Sequence, residues 1–407
     1  PNRSPVSPGV EVLDALRRGE ITQEEADRQF AVLGGQDLRN DINQYYYQPQ
    51  LDQQYAFQVS GGGEKQRFGI SLGYDATREN IQGNDRNRIS FKGNQEFLLW
   101  KGRITLSNQL ALIQNRVTRT NPGTGDLVIS PGTELYPYAK LADSEGNPLP
   151  VVRDFRRSFV LGAEEAGYLN WEFFPLNDIG QTVEANRALE IRWTTGLTVK
   201  LAKGLQAEAS YQYWNNNSSN ESYNSPESYF SRNLINTYSS LQADGSFDYP
   251  VPLGAIFDKA TSEGVSHQFR SLLRYSGTFG KHQINALGGF EAKDYQLNSY
   301  SNRYYGYNRQ LASTIPVDYI NPYPYSYNPS ILRNIPFRSG LTDLTDRFLS
   351  YYGNLGYTYD NKLDFTFSAR KDQSNLFGVK TNQRGVPLYS FGLGWTLSEM
   401  SFLNFDG

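Results

Sequence analysis

The sequence predicts an all-β chain, a portion of a transmembrane antiparallel β-barrel of about eleven strands, with long outer loops and a short helical segment at the N-terminus. Three observations carry this prediction. Apolar and polar residues alternate at period two over long runs, as in Leu349, Tyr351, Gly353, Leu355, Tyr357 and Tyr359 against Ser350, Tyr352, Asn354, Gly356 and Thr358. The apolar half of each run is rich in aromatics, which make up 14% of the chain with Tyr 29 and Phe 23. Connections between runs alternate between tight turns and long excursions.

The composition agrees. The 407 residues carry Lys+Arg 39 and Asp+Glu 42, a formal net charge of -3 with no basic stripe, so nucleic acid is not an expected partner. No run approaches the roughly eighteen apolar residues of a spanning helix, and Cys 0 excludes disulfides.

In chain order, residues 1–50 read as a helical segment. One helix follows Ser7-Pro8, and a second starts at Thr22, where T-Q-E-E matches a capping box and Gly34 is a stop. Residues 51–407 read as a partial barrel. Tyr55, Phe57 and Val59 lead through a Gly61-Gly62-Gly63 turn to Phe68, Ile70, Leu72 and Tyr74. Ile89, Phe91 and Phe97 turn at Trp100-Lys101-Gly102 into Ile104, Leu106, Leu110 and Leu112. Leu189, Ile191, Trp193, Leu197 and Val199 turn at Ala202-Lys203-Gly204 into Leu205, Ala207, Ala209, Tyr211 and Tyr213. Phe269, Leu273 and Tyr275 turn at Gly280-Lys281 into Ile284, Ala286 and Phe290, and the run ending at Tyr359 turns into Leu363, Phe365, Phe367 and Ala369. Tyr389, Phe391, Leu393, Trp395 and Leu397 form the last run.

The apolar faces alone fit either a soluble sandwich or lipid. The connections decide, because short turns on one side and long excursions near 76–87, 117–187, 215–265, 297–345 and 371–386 on the other are the asymmetry of outer-membrane barrels. With the tight turns on the periplasmic side, residues 1–50 fall on the outer, long-loop side. The polar faces carry Lys92, Arg192, Glu208, Arg270, Arg274, Asp364 and Arg370, which are expected to line an aqueous lumen.

No catalytic constellation is present, and the chain reads as a non-enzyme without a cofactor. His267 and His282 lie at opposite ends of one hairpin, too far apart to share a metal, and Asp143 to Asn147 and Asp178 read as turn residues rather than a calcium loop. Gly61 to Gly63 lacks the helix and lysine of a phosphate cradle. Substrate contact is assigned to aromatics of the outer loops, Trp171, Trp214, Tyr304, Tyr305, Tyr323 and Tyr325, whose rings can stack on sugars or clamp a peptide.

Two stretches resemble a known family. QYAFQVSGGGEKQRFGISLGYDATRENIQGNDRNRISFKGN at 54–94 is similar to an early barrel hairpin of the SusC/RagA-type TonB-dependent outer-membrane transporters of Bacteroidetes. Arg347, the Gly353-Asn354-Leu355-Gly356-Tyr357 run, Arg370-Lys371-Asp372, Phe377-Gly378 and Gly394-Trp395 to Glu399 resemble a late-middle signature of the same family, which commonly has Asp-Gly-Ser-Ser where this chain has Asp372-Gln373-Ser374-Asn375. The resemblance implies a plugged barrel of about 22 strands, with plug domain, TonB box and C-terminal strands outside this stretch. It implies location in the cell outer membrane and TonB-dependent import of an oligosaccharide or oligopeptide. A SusD-like surface lipoprotein, the TonB complex and outer-membrane lipid would be its partners. A passive porin or an adhesin-like barrel is the alternative.

A partial barrel exposes unpaired strand edges. These 407 residues alone should therefore fail to fold stably. Calorimetry in detergent is expected to give no cooperative transition, and a monomer that unfolds cooperatively would refute the expectation.

Overall fold

The computed structural model describes residues 3–375, 385 and 387–397. Phe377, Gly378 and Glu399, which contribute to the family resemblance, lie outside the described residues. Eleven strands form one antiparallel sheet in chain order, each paired with its neighbours in sequence. They are β1 Leu51–Gly62, β2 Gln66–Arg78, β3 Asp85–Leu99, β4 Ile104–Arg119, β5 Thr182–Ala202 and β6 Leu205–Asn224, followed by β7 Ala255–Phe279, β8 His282–Tyr307, β9 Gly340–Tyr359, β10 Leu363–Ser374 and β11 Pro387–Trp395. Among the described residues β1 and β11 are the free edges, so the sheet is a piece of wall and not a closed barrel.

The tight turns fall where the alternation breaks. Trp100 and Lys101 take φ of 49° and 56°, and Asp360 and Asn361 take 51° and 57°. Two consecutive left-handed residues match the right-handed twist of a hairpin. Gly204, with φ 77°, faces Ser276 so closely that a Cβ would stand 2.1 Å from its carbonyl oxygen, and only glycine fits there.

Register fixes the tilt. Cross-strand partners from Gly62 run through Arg67, Glu96, Ser107, Gly196, Ser210, Arg270 and Glu291 to Ser350, nine residues short of the turn end of β9 at Tyr359. A slip of about one residue per strand, at ~3.3 Å rise and ~4.8 Å spacing, tilts the strands by about 38°, the angle at which barrels close.

The apolar face is left uncovered by protein. Tyr55, Phe57, Leu72, Ile89, Leu110, Trp193, Leu197, Phe269, Leu273, Tyr351, Leu355, Phe367 and Phe391 are all exposed. This band ends abruptly. Counting twelve residues from the tight-turn end of seven of the strands gives Arg78 from Gln66, Asn87 from Leu99, Arg116 from Ile104 and Asn217 from Leu205, then His267 from Phe279, Asp294 from His282 and Arg347 from Tyr359. All seven share the parity of the apolar residues and all are polar. The eleven residues from Leu349 to Tyr359, ten steps of rise tilted as above, span about 26 Å, the height of a barrel's lipid-facing band. Two amides, Gln95 and Asn108, stand opposite each other inside it. Aromatics gather at both margins. Trp193, Tyr211, Tyr213 and His267 sit at one, where the Tyr211 hydroxyl lies 2.7 Å from His267 Nδ1, and Phe279, His282, Tyr357 and Tyr359 sit at the other.

The strands are longer than the roughly ten residues expected. β7 has 25 residues and β8 has 26, so the wall continues well beyond the band. Asn215 to Asn220, expected in a loop, pair in β6 with Ala260 to Val265 of β7. Where both faces meet water the alternation disappears from the sequence, while the backbone ladder continues.

Beyond the long strands the connections build a cap. Helices α1 Pro8–Arg18, α2 Gln23–Gly34 and α3 Leu38–Tyr45 pack against residues 120–181, which contain α4 Arg157–Glu165, and residues 225–254 contribute α5 Tyr229–Tyr238. Thr22 Oγ1 accepts from Glu25 N–H at 3.2 Å, which caps α2. The third helix, capped by Asp37, was not expected. Its Asp41 is buried, takes Lys140 Nζ at 2.6 Å and the Leu141 N–H at 2.7 Å, and fastens the helical segment to the long-loop side.

Arg156, 6% exposed, binds both Glu11 at 2.5 Å and Asp14 at 2.8 Å of α1. Hydrogen bonding to Arg156 holds the Asp14 carboxyl below its usual range. A depressed carboxylate contributes stability above its unfolded pKa of about 4 and loses it as pH falls through the folded value. Arg156→Ala should cost about 2 to 3 kcal/mol. Limited proteolysis is expected to cut near residues 19–22 of this variant at pH 7, and of the wild type only at pH 4 or below.

Candidate functional site

The face opposite the apolar band collects every charged residue assigned to a lumen. Lys92 and Arg192 lie in one cross-strand row with Ser71, Ala111, Trp214, Ser266 and Tyr295. Arg192 pairs with Glu190 at 2.7 Å, and Arg274 with Glu208 at 3.4 Å. Asp364 accepts from the Thr358 hydroxyl at 2.5 Å.

Arg270 and Arg370 meet at one ring. In adjacent rows of this face, Arg270 stands beside Glu291, Ser350 and Asp372, while Tyr352 stands between Gly289 and Arg370. Arg270 Nε donates to the Tyr352 hydroxyl at 2.9 Å, and the Arg370 guanidinium lies 5.5 Å from the same ring centre. Arg370 also pairs with Asp372 at 2.8 Å, and Gln268 donates to Glu291 at 2.5 Å. A Cβ on Gly289 would stand 2.4 Å from Tyr352 Cζ, so the missing side chain is the floor on which the tyrosine lies. Two cations, two carboxylates and an aromatic face give a surface that offers both donors and acceptors. Tyr352 was readable in the sequence as an aromatic on the polar half of a strand, and the register was needed to set it between the two arginines.

The aromatics assigned to substrate contact separate into different roles. Trp214 is no loop residue: it lies in β6 on the polar face, donates from Nε1 to Glu190 at 3.1 Å and packs 6.1 Å from Tyr295, above Gly264. Trp171 is 1% exposed among Phe155, Phe159, Tyr168 and Tyr327, with Nε1 bonded to Asn233 at 2.8 Å. Tyr305, also 1% exposed, lies in β8 and donates to the Pro336 carbonyl at 2.7 Å. Both rings, expected to face water, are enclosed in the core of the cap instead. Tyr304 stacks on Phe257, Tyr325 packs against Tyr238 and Tyr327, and Tyr323 is half-buried against the same core.

Helix α5 holds the cap together. Asp178 accepts its Tyr229 N–H at 2.6 Å, Asn236 brackets Leu169, Tyr238 donates to the Asn334 carbonyl, and Thr237 O receives the Ser326 N–H. Burial raises the Asp178 carboxyl, and it pushes the Tyr136 hydroxyl up to about 12. These shifts come from packing. No group of three metal-ligating side chains occurs among the described residues. His282 stands at the tight turn of its hairpin and His267 in the middle of β7, at the other margin of the band, and Asp143 closes a turn on the Glu145 and Asn147 amides.

A tilted antiparallel wall with an uncovered apolar band, a polar opposite face and a cap at one end is a segment of an outer-membrane-type β-barrel. No family model matches the chain. It is 24% identical over 365 residues to the TonB-dependent receptor P39 of Formosa agariphila, covering 89% of this chain and 30% of that protein. Its fold is similar to the RagAB peptide importer in the closed-closed state, with a TM-score of 0.62 and 16% identity over 89% of this chain and 36% of the other. A second RagAB peptide transporter structure gives a TM-score of 0.61. By fold the chain is thus a barrel segment that resembles TonB-dependent receptors in sequence, and it spans about a third of the length of the proteins it matches.

Trp171→Ala should cost about 3 to 5 kcal/mol through the cavity it leaves. The expected result is a protease-sensitive cap above an intact wall, checked by cleavage within residues 120–181. Unchanged protection would show that Trp171 is not a packing residue.

Proposed function

We propose that the protein containing this wall imports an oligosaccharide or oligopeptide across the cell outer membrane. TonB powers the import, a SusD-like surface lipoprotein is the partner on the cap side, and the polar face lines the path. The observation that carries this reading is the contrast between the faces. One carries an uncovered apolar band about 26 Å high, and the other carries Lys92, Arg192, Glu208, Arg270, Arg274, Asp364 and Arg370. Similarity to a TonB-dependent receptor and to the RagAB fold supports the energy source and the lipoprotein partner. Within the path, Tyr352 with Arg270 and Arg370, and Trp214 with Tyr295, offer ring faces flanked by charge, which suit either a sugar ring or a peptide backbone.

Deleting the full-length gene should abolish growth on one polymeric nutrient, and unchanged uptake of every such nutrient would remove the proposal. In the full-length receptor Arg270→Ala with Arg370→Ala should lower uptake at least about tenfold, at an unchanged surface level measured by antibody binding.

A further inference from the structure

We propose that Arg116 and Arg187 form a docking site for the phosphate of an anionic lipid headgroup in the outer leaflet. The inference rests on the reading that the wall stands in a membrane. The two residues are direct cross-strand partners between β4 and β5. Both have the parity of the lipid-facing residues and both are exposed. Immediately below them on the same face Gln114 faces Leu189, Leu112 faces Ile191 and Leu110 faces Trp193. The pair therefore stands at the upper margin of the apolar band, at the level of headgroups.

Like charges directly opposed on a sheet repel. Two other cations of this outward face are neutralised within the wall, Arg347 by Asp294 at 2.8 Å and Lys259 by Glu221 at 3.1 Å. Arg116 and Arg187 have no ion pair and no side-chain hydrogen bond among the described residues, and their other cross-strand neighbours are the neutral Asn87 and Ser219. An anion from outside the chain is the missing partner. Two planar guanidinium groups on adjacent strands can each grip a phosphate through paired N–H donors. The leucines and isoleucine beneath would lie along the acyl chains, which favours a lipid over a free ion.

The test uses the full-length receptor in nanodiscs of zwitterionic lipid doped with bis-phosphorylated lipid A or with the same lipid lacking phosphates, and native mass spectrometry reads the bound lipid. Wild type should retain the phosphorylated form at least about tenfold better. R116Q/R187Q should retain both forms equally, and R116K/R187K should keep a reduced preference. Heat-modifiable gel migration confirms that each variant is a folded barrel. Failure to enter nanodiscs would refute the membrane reading itself, separately from the site. Equal retention of the two lipids by wild type, an unaltered preference in R116Q/R187Q, or displacement of the lipid by millimolar inorganic phosphate would overturn the lipid assignment.

Discussion

The backbone of this chain must be hydrogen-bonded without help from water over the height of the band, and nearly every other feature follows from that constraint. A sheet in lipid satisfies its amides only by pairing strand to strand. Pairing at the observed slip of about one residue per strand tilts the strands, and the tilt converts a flat ladder into a closing wall. The slip also explains why no single cross-strand row is apolar from end to end. The row of Phe57 passes Leu72, Phe91, Leu112 and Ile191, then leaves the band at Asn215 and reaches Gln296 and Thr345. Lipid selects a height and hydrogen bonding selects a row. The two agree only along a diagonal.

The same constraint moves the hydrophobic core out of the wall. Among the described residues Leu272 is the one buried large aliphatic residue within the band, whereas Leu38, Leu135, Leu141, Val160, Trp171 and Phe173 are buried in the cap. The wall needs no protein core because lipid covers one face and water fills the other. The cap stands in water on every side and must bury apolar surface as a soluble domain does. Three long connections and the N-terminal helices meet there, with α5 as their common partner, so the cap resists opening at any one loop.

This division decides what could be read from the sequence. The lipid-facing strands, the five tight turns and their order were legible, because the period-two pattern records one dry and one wet face. The extensions of β6, β7 and β8 were not, because Asn215 to Asn220 are polar on both faces and Arg303 and Tyr305 pack into the cap, so neither stretch carries the period. The charged residues of the polar face were legible by parity alone, from Lys92 to Arg370. What parity lacks is register. The meeting of Arg270 and Arg370 at Tyr352 joins β7, β9 and β10, and only the slip between strands brings them together. The cap was the least legible region, since burial of Trp171 and Tyr305 depends on contacts with Asn233 and Pro336, 62 and 31 residues further along.

Aromatic residues show the consequence most directly. The same residue type performs three tasks here, assigned by face and height. Outward at the margins of the band stand Trp193, Tyr211 and Tyr357, the two tyrosines with their hydroxyls tied to His267 and His282. Opposite them, Tyr352 and Trp214 lie over glycines, Gly289 and Gly264, whose missing side chains leave room for a flat ring against the wall. Each ring is held at its edge by a charged neighbour, Tyr352 by Arg270 and Trp214 by Glu190. Above the band, Trp171 and Tyr305 have no free face, because their polar atoms are tied to Asn233 Oδ1 and the Pro336 carbonyl and their rings are enclosed. An aromatic-rich outer loop is therefore weak grounds for a binding site in such a wall, and a ring on the wet face opposite a glycine is stronger.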